Sequence, residues 1–219
     1  MRKVRRKTSK EILAESFHEL VEKKPADRIT VQEITENCGY SPATFYRQFR
    51  DKYDLIAWDY SSHCSGIMDR TGNSGKTWKT AVQEGCSYLY SQRKYLCNVL
   101  KHTGGQDSFF QYMSRVNAEL LEKEVLNQTG QKELPEHLAI GIKLYAYGTS
   151  QVICEWLGGK WDFSAEHLSA LFIQALPEIL IPYLNKEQGG NKTACLSHNE
   201  KDRLFCELQE GKTGIQYKM

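Results

Sequence analysis

The sequence predicts an all-α protein, with a small three-helix head containing a helix-turn-helix and a larger helical domain behind it. Three observations predict this. Periodicity near 3.6 residues dominates the apolar pattern, and with only five prolines it points away from β architecture. Helix-start signals recur: Thr8 with Glu11 and Thr30 with Glu33 form capping boxes, and Ser41-Pro42 and Asp51 with Asp54 are further starts. Glycines then punctuate the ends, at Gly39, Gly104-Gly105, Gly130 and Gly158-Gly159.

Taken in order, residues 8–23 form a helix whose stripe is Ile12, Phe17, Leu20 and Val21, and Pro25 blocks its continuation. Thr30 starts a second helix with Val31, Ile34 and Cys38 on one face. Gly39 supplies a position where positive φ costs little, so the chain can turn sharply. Ser41 caps a short third helix of about eight residues, with Pro42 at its first position and Phe45 and Phe49 as its buried stripe. So short a helix is marginal alone. Its apolar face must be held by neighbours, which leaves Ser41, Ala43, Thr44, Tyr46, Arg47 and Gln48 largely free. No carboxylate interrupts residues 41–50, and hydroxyls, an amide and a guanidinium suit phosphate oxygens and base edges. The bland reading is a three-helix core whose short helix merely faces solvent. Ahead of it the arm MRKVRRK holds Arg2, Lys3, Arg5, Arg6 and Lys7 without an acid, as arms that touch phosphate or the minor groove do. Residues 1–58 carry 12 Lys and Arg against 9 Asp and Glu, and the remainder 17 against 18, so the positive charge concentrates in that arm.

The run ITVQEITENCGYSPATFYRQFRDKYDLI, residues 29–56, resembles the TetR-type bacterial transcriptional regulators. The resemblance covers roughly residues 8–58 and is carried by Thr44-Phe45-Tyr46, Phe49 and the Asp51–Leu55 run. The same residues are also similar to the dihydroxyacetone-kinase operon regulators within that family. The resemblance implies a homodimer with one DNA-binding head per subunit and a ligand-sensing domain behind it. On this sequence Ser41, Pro42, Ala43, Thr44 and Arg47 would face the major groove and Tyr46 would reach a phosphate. Lys52 would bind phosphate at the start of the fourth helix, and Thr30 would cap beside the DNA backbone. Arg5 and Arg6 represent the arm.

Three regions follow: residues 1–58 as DNA-binding head, 59–184 as effector and dimerisation domain, and 185–219 as a flexible tail. The fourth helix is expected to end near Met68. Ser74 caps the next, whose stripe is Trp78, Val82, Cys86, Leu89 and Tyr90. Helices near 94–102 and 107–128 come next, then one opened by Pro135 that runs to Leu157. Ser164 caps the last, to about Tyr183, with a kink at Pro177. The apolar residues of the last two helices admit an internal core pair. In regulators of the resembled kind they build the dimer interface, here Val152, Trp156, Leu168, Phe172, Leu176 and Ile179. Gly141 and Gly148 within the first of them suggest close approach of another helix. Tyr88, His102, Phe110 and Tyr145 are wall candidates for an effector pocket, although so many aromatics also suit plain core.

The remaining features exclude more than they propose. No P-loop, nucleophile elbow, HExxH or GxGxxG occurs, so an enzyme is not expected. Seven single cysteines and six scattered histidines show no ligand spacing, so neither metal nor other cofactor is expected. No apolar run approaches the ~20 residues of a membrane span, and the N-terminus lacks the apolar stretch of a secretory signal. The expected product is a cytoplasmic repressor that binds operator DNA as a homodimer under small-molecule control. The alternatives are an activator working through a protein coactivator, or a non-DNA interaction protein of the same fold.

Overall fold

The computed structural model describes residues 6–69, 77–104 and 108–184. Arg5, the Ser74 cap, Gly105 and the 185–219 tail lie outside the described residues.

Helix α1 (Ser9–Val21) opens under the Thr8 capping box: the Thr8 hydroxyl accepts the Glu11 N–H at 3.3 Å, and the Glu11 carboxylate accepts the Thr8 N–H at 2.7 Å. A 3₁₀ turn at Ala26–Arg28 leads to α2 (Val31–Asn37), where Thr30 and Glu33 repeat the arrangement at 3.2 and 2.8 Å. Gly39 sits at φ 73°, a left-handed value that a Cβ would strain. Helix α3 (Pro42–Tyr46) is shorter than its sequence pattern suggests, though the Phe49 N–H still donates to the Phe45 carbonyl at 2.9 Å. Asp51 caps α4 (Lys52–Met68), accepting the N–H groups of Tyr53 and Asp54 at 2.9 Å each.

The body comprises α5 (Trp78–Ser91), α6 (Arg93–Lys101), α7 (Phe109–Thr129), α8 (Glu136–Leu157) and α9 (Ala165–Gln174). Thr77 caps α5, and its Tyr90, expected in the buried stripe, is 52% exposed. The last long helix is not merely kinked. It stops at Gln174, and a 3₁₀ turn at Glu178–Leu180 passes into α10 (Ile181–Leu184) at 88° to α9. Pro177 lacks an N–H and pushes the residue before it out of the helical region, so the helix ends upstream.

One apolar core runs from head to body. Leu13, Phe17, Phe45 and Phe49 belong to the same buried cluster as Tyr95, Phe109, Trp156 and Leu168. A smaller cluster around Val125, Leu138, Ile142 and Leu180 closes the other part of the body. Helix α4 passes through the residue-58 boundary without a break. Among the described residues no single helix is long and apolar enough to cross a membrane.

Candidate nucleic-acid interface and internal cavity

Helix α3 is held from beneath and bare above. Phe45 and Phe49 are buried with ring centroids 5.7 Å apart, and Phe49 lies 5.6 Å from Trp58 of α4. The Lys10 ammonium of α1 covers the Phe49 and Trp58 rings at 5.2 and 5.4 Å. Ser41, Pro42, Ala43, Tyr46 and Arg47 are exposed and Thr44 is half-buried. The face is locally ordered. Ser41 Oγ accepts the Thr44 N–H at 3.3 Å, and the Arg47 guanidinium donates to Thr44 Oγ1 at 3.2 Å. This surface presents donors without a carboxylate, chemistry that can reach both phosphates and base edges. Thr30 is exposed, and so is Arg6 of the arm.

Lys52 has a different environment from a free phosphate ligand. Its ammonium donates to the carbonyls of Ala26, Asp27 and Ile29 at 3.0, 2.6 and 2.9 Å, which uses all three protons. Burial, the largest cause, holds its pKa below the ordinary lysine value, while the Asp27 charge works in the opposite sense. A phosphate contact by Lys52 would require one of these bonds to be given up. The lysine instead ties the start of α4 to the turn between α1 and α2.

Two further ties join head and body. Asn98 of α6 donates to the carbonyls of Val21 and Lys24 at 3.0 and 3.1 Å and accepts the Ala26 N–H at 2.9 Å. One amide thus satisfies the orphan carbonyls after α1 and an N–H of the 3₁₀ turn. Asp59 of α4 is buried, and one of its oxygens lies 2.8 Å from His18 Nε2 of α1 and accepts the Tyr95 hydroxyl at 3.4 Å. His18 stacks on Tyr95 at 3.7 Å, and His63, close to Asp59, stacks on Tyr88 at 4.9 Å.

Tyr88 also lines a partly open cavity of about 130 Å³ bounded by residues of α4, α5, α7, α8 and α9. Tyr145 lines it too. His102 and Phe110 do not. His102 Nδ1 lies 3.5 Å from Asp27 at the head, and Phe110 packs beside Cys97, Leu100 and Cys154. Aromatic density in the sequence does not report which face each helix turns inward. The pattern missed Tyr60, Cys64, Asn117 and Thr149, which also form the wall. A signal for Asn117 was present, since it falls four residues from both Met113 and Leu121 on the apolar stripe of the amphipathic α7: it accepts the Tyr60 hydroxyl at 2.8 Å and donates to Ser150 at 3.0 Å.

The interface residues expected on the last helices are also redistributed. Trp156, Leu168, Phe172 and Leu176 are buried in the chain's own core, and the Trp156 indole donates to the Phe163 carbonyl at 2.8 Å. Val152 is half-buried and Ile179 exposed. Core and interface share one apolar periodicity, so sequence could not separate them. The surface that α8 and α9 leave open carries Ile140, Leu144, Tyr147 and Leu171, and Leu144 is 71% exposed. Gly141 does mark a close approach, since a Cβ there would meet Ile179 at 2.5 Å, whereas Gly148 has nothing of the described chain within 4 Å. Among the described residues no three His, Cys, Asp or Glu side chains are grouped to hold a metal ion.

Comparison with known proteins agrees with this geometry. The model of the bacterial regulatory proteins of the tetR family matches residues 13–57, and that of a transcriptional regulator C-terminal region matches residues 76–178. No curated protein matches the sequence. Among solved structures, the dihydroxyacetone kinase operon activator DhaS aligns with a TM-score of 0.59 at 15% identity, over 80% of this chain and 96% of its own. A TetR regulator from Rhodococcus sp. RHA1 gives 0.56 at 15%, over 77% and 95%. The Thermus thermophilus FadR repressor, solved with lauroyl-CoA, gives 0.55 at 15%, over 84% and 100%. At such identities the likeness is one of fold. With its head and most of its body matched by models of these regulators, the chain belongs to the TetR family of helix-turn-helix DNA-binding transcriptional regulators, which are not enzymes.

Proposed function

We propose that the chain is a homodimeric, cytoplasmic repressor that reads a two-fold symmetric operator through α3 and releases it when a small molecule fills the cavity. The observation that carries the reading is the α3 face, anchored on Phe45 and Phe49 and exposing hydroxyls and a guanidinium. Ser41, Pro42, Ala43, Thr44 and Arg47 meet base edges, and Tyr46 and Thr30 meet phosphates. The arm with Arg5 and Arg6 adds sequence-independent affinity. Lys52 contributes positive potential from its carbonyl cage. Residues 1–58 form the reading head and 59–184 the sensing and pairing domain, with 185–219 as a tail.

One recognition helix reads few base pairs, so two copies are combined. The exposed apolar surface of Ile140, Leu144, Tyr147 and Leu171, with Gly148 open beside it, suits pairing of α8 and α9 with a second copy. Control follows from α4, which has Lys52 at its head end and Tyr60 and Cys64 on the cavity wall. A ligand that fits the cavity better in one dimer state shifts the spacing of the two heads. Regulators of this fold act with either sign, since DhaS is an operon activator and FadR a repressor.

Selection of bound sequences from a random duplex library, with the full chain, tests the proposal. A two-fold symmetric enriched site is expected, with affinity falling steeply with salt by roughly 0.9 log units per log unit of salt for each phosphate neutralised. An enriched site without symmetry removes the dimer, and salt-independent binding removes the reading face. Reporter expression from the selected site then fixes the sign of regulation.

A further inference from the structure

Resting on the effector-cavity reading above, we infer that the ligand is an uncharged molecule about the size of one substituted aromatic ring, with an acceptor for the Trp78 indole N–H. The size follows from the volume. A cavity of about 130 Å³ is close to the roughly 150 Å³ engineered cavity that takes up benzene.

The charge class follows from the wall. Among the described residues lining the cavity there is no Asp, Glu, Lys, Arg or His. An ionised ligand would lose its hydration with no counter-charge to replace it. Burial pushes the thiols of Cys64 and Cys86 up to about 12, so the site already resists the anions of its own wall. The buried Asp59 carboxylate acts on Tyr88 in the same sense, raising its pKa further beyond what burial does. A ligand anion would meet this field as well.

The acceptor follows from Trp78. Its Nε1 is the one buried side-chain nitrogen or oxygen without a hydrogen-bond partner among the described residues, and Trp78 lines the cavity. The other polar groups are largely committed. The Tyr60 hydroxyl donates to Asn117, the Tyr145 hydroxyl donates to the Phe172 carbonyl at 2.7 Å, and the Thr149 hydroxyl donates to the Tyr145 carbonyl at 2.8 Å. A buried N–H with no acceptor costs free energy that a ligand carbonyl or ether oxygen recovers.

Three probes of similar size separate the elements of this inference: acetophenone, ethylbenzene and benzoate. Binding to the full-length protein is followed by ligand-detected NMR titration, and operator retention by gel mobility. Acetophenone should bind ~5-fold more tightly than ethylbenzene, through one added hydrogen bond. Benzoate should bind at least ~10-fold more weakly than acetophenone. Trp78→Phe keeps an aromatic side chain, smaller than the indole, and removes the N–H, so it should abolish the preference for acetophenone while ethylbenzene still binds. Benzoate binding as well as acetophenone, or a preference unchanged in Trp78→Phe, would overturn the ligand class alone. If no neutral probe binds a protein that still holds its operator, the cavity reading itself fails. The order of the three probes on the unaltered protein decides the class even if Trp78→Phe does not fold.

Discussion

The α3 face and the cavity are built in opposite ways on one helical frame. The face comes from seven consecutive residues, 41–47, and its side-chain hydrogen bonds link Ser41, Thr44 and Arg47 to each other. Most of its side chains are exposed, Thr44 is half-buried, and only Phe45 beneath it is spent on the core. The cavity draws on five helices between Tyr60 and Phe172, and polar groups of its wall pair at long range, Tyr60 with Asn117 and Asn117 with Ser150. The difference separates two kinds of vulnerability. A substitution on the outer face of α3 changes what is read and leaves the fold alone. A substitution in the shared core or in the ties between head and body changes both.

The sharpest break of that contrast is Phe45→Ala. It removes the fully buried ring that seats α3, and a loss of about 3–5 kcal/mol is expected in urea unfolding. A loss below about 1 kcal/mol would show that α3 is not held by this core. Asn98→Ala should come next, at about 1–3 kcal/mol, because two carbonyls and one N–H lose their partner. It should also weaken operator binding from a position outside α3, and unchanged operator affinity would remove Asn98 as a tie between head and body. Arg47→Ala should leave the unfolding midpoint unchanged and cost roughly 1–3 kcal/mol of affinity for the selected operator, with little effect on unrelated DNA. Equal losses on both DNAs would move Arg47 from base reading to phosphate contact.

The smallest effect concerns acid. Hydrogen bonding from Lys24, then from Thr30, lowers the Glu33 pKa from 4.5 to about 2. The carboxylate therefore stabilises the start of α2 fully above pH 4.5, and that contribution is lost as pH falls toward about 2. The Thr30 amide resonance, whose N–H donates to Glu33, should titrate across that window, and Glu33→Gln should flatten it. A midpoint near pH 4.5 would mean that the capping box does not hold its charge.

Much of the fold was legible because its signals are local. Capping pairs such as Thr30 and Glu33 act within one turn, and Gly39 needs only its own φ. The same locality made the α3 face visible as a stretch of residues. Lys52 illustrates the limit. Its position at the start of α4 was plain, but the three carbonyls that enclose its ammonium arrive from residues 26–29, and nothing near it in sequence announces them.

What the sequence by itself determined, then, is the order of the long helices, most of their caps, and the short polar face that α3 presents. Each is set by interactions within about a turn of chain. Tertiary structure alone decided which apolar faces close on one another. It put Trp156, Leu168, Phe172 and Leu176 inside the subunit and left Ile140, Leu144 and Tyr147 outside. It also gathered Trp78, Asn117 and Tyr145 around one cavity and sent His102 to the head. The physical reason is that hydrophobic burial is non-directional, so a stripe of leucines demands a partner without naming it. The partner is chosen by how whole helices pack together.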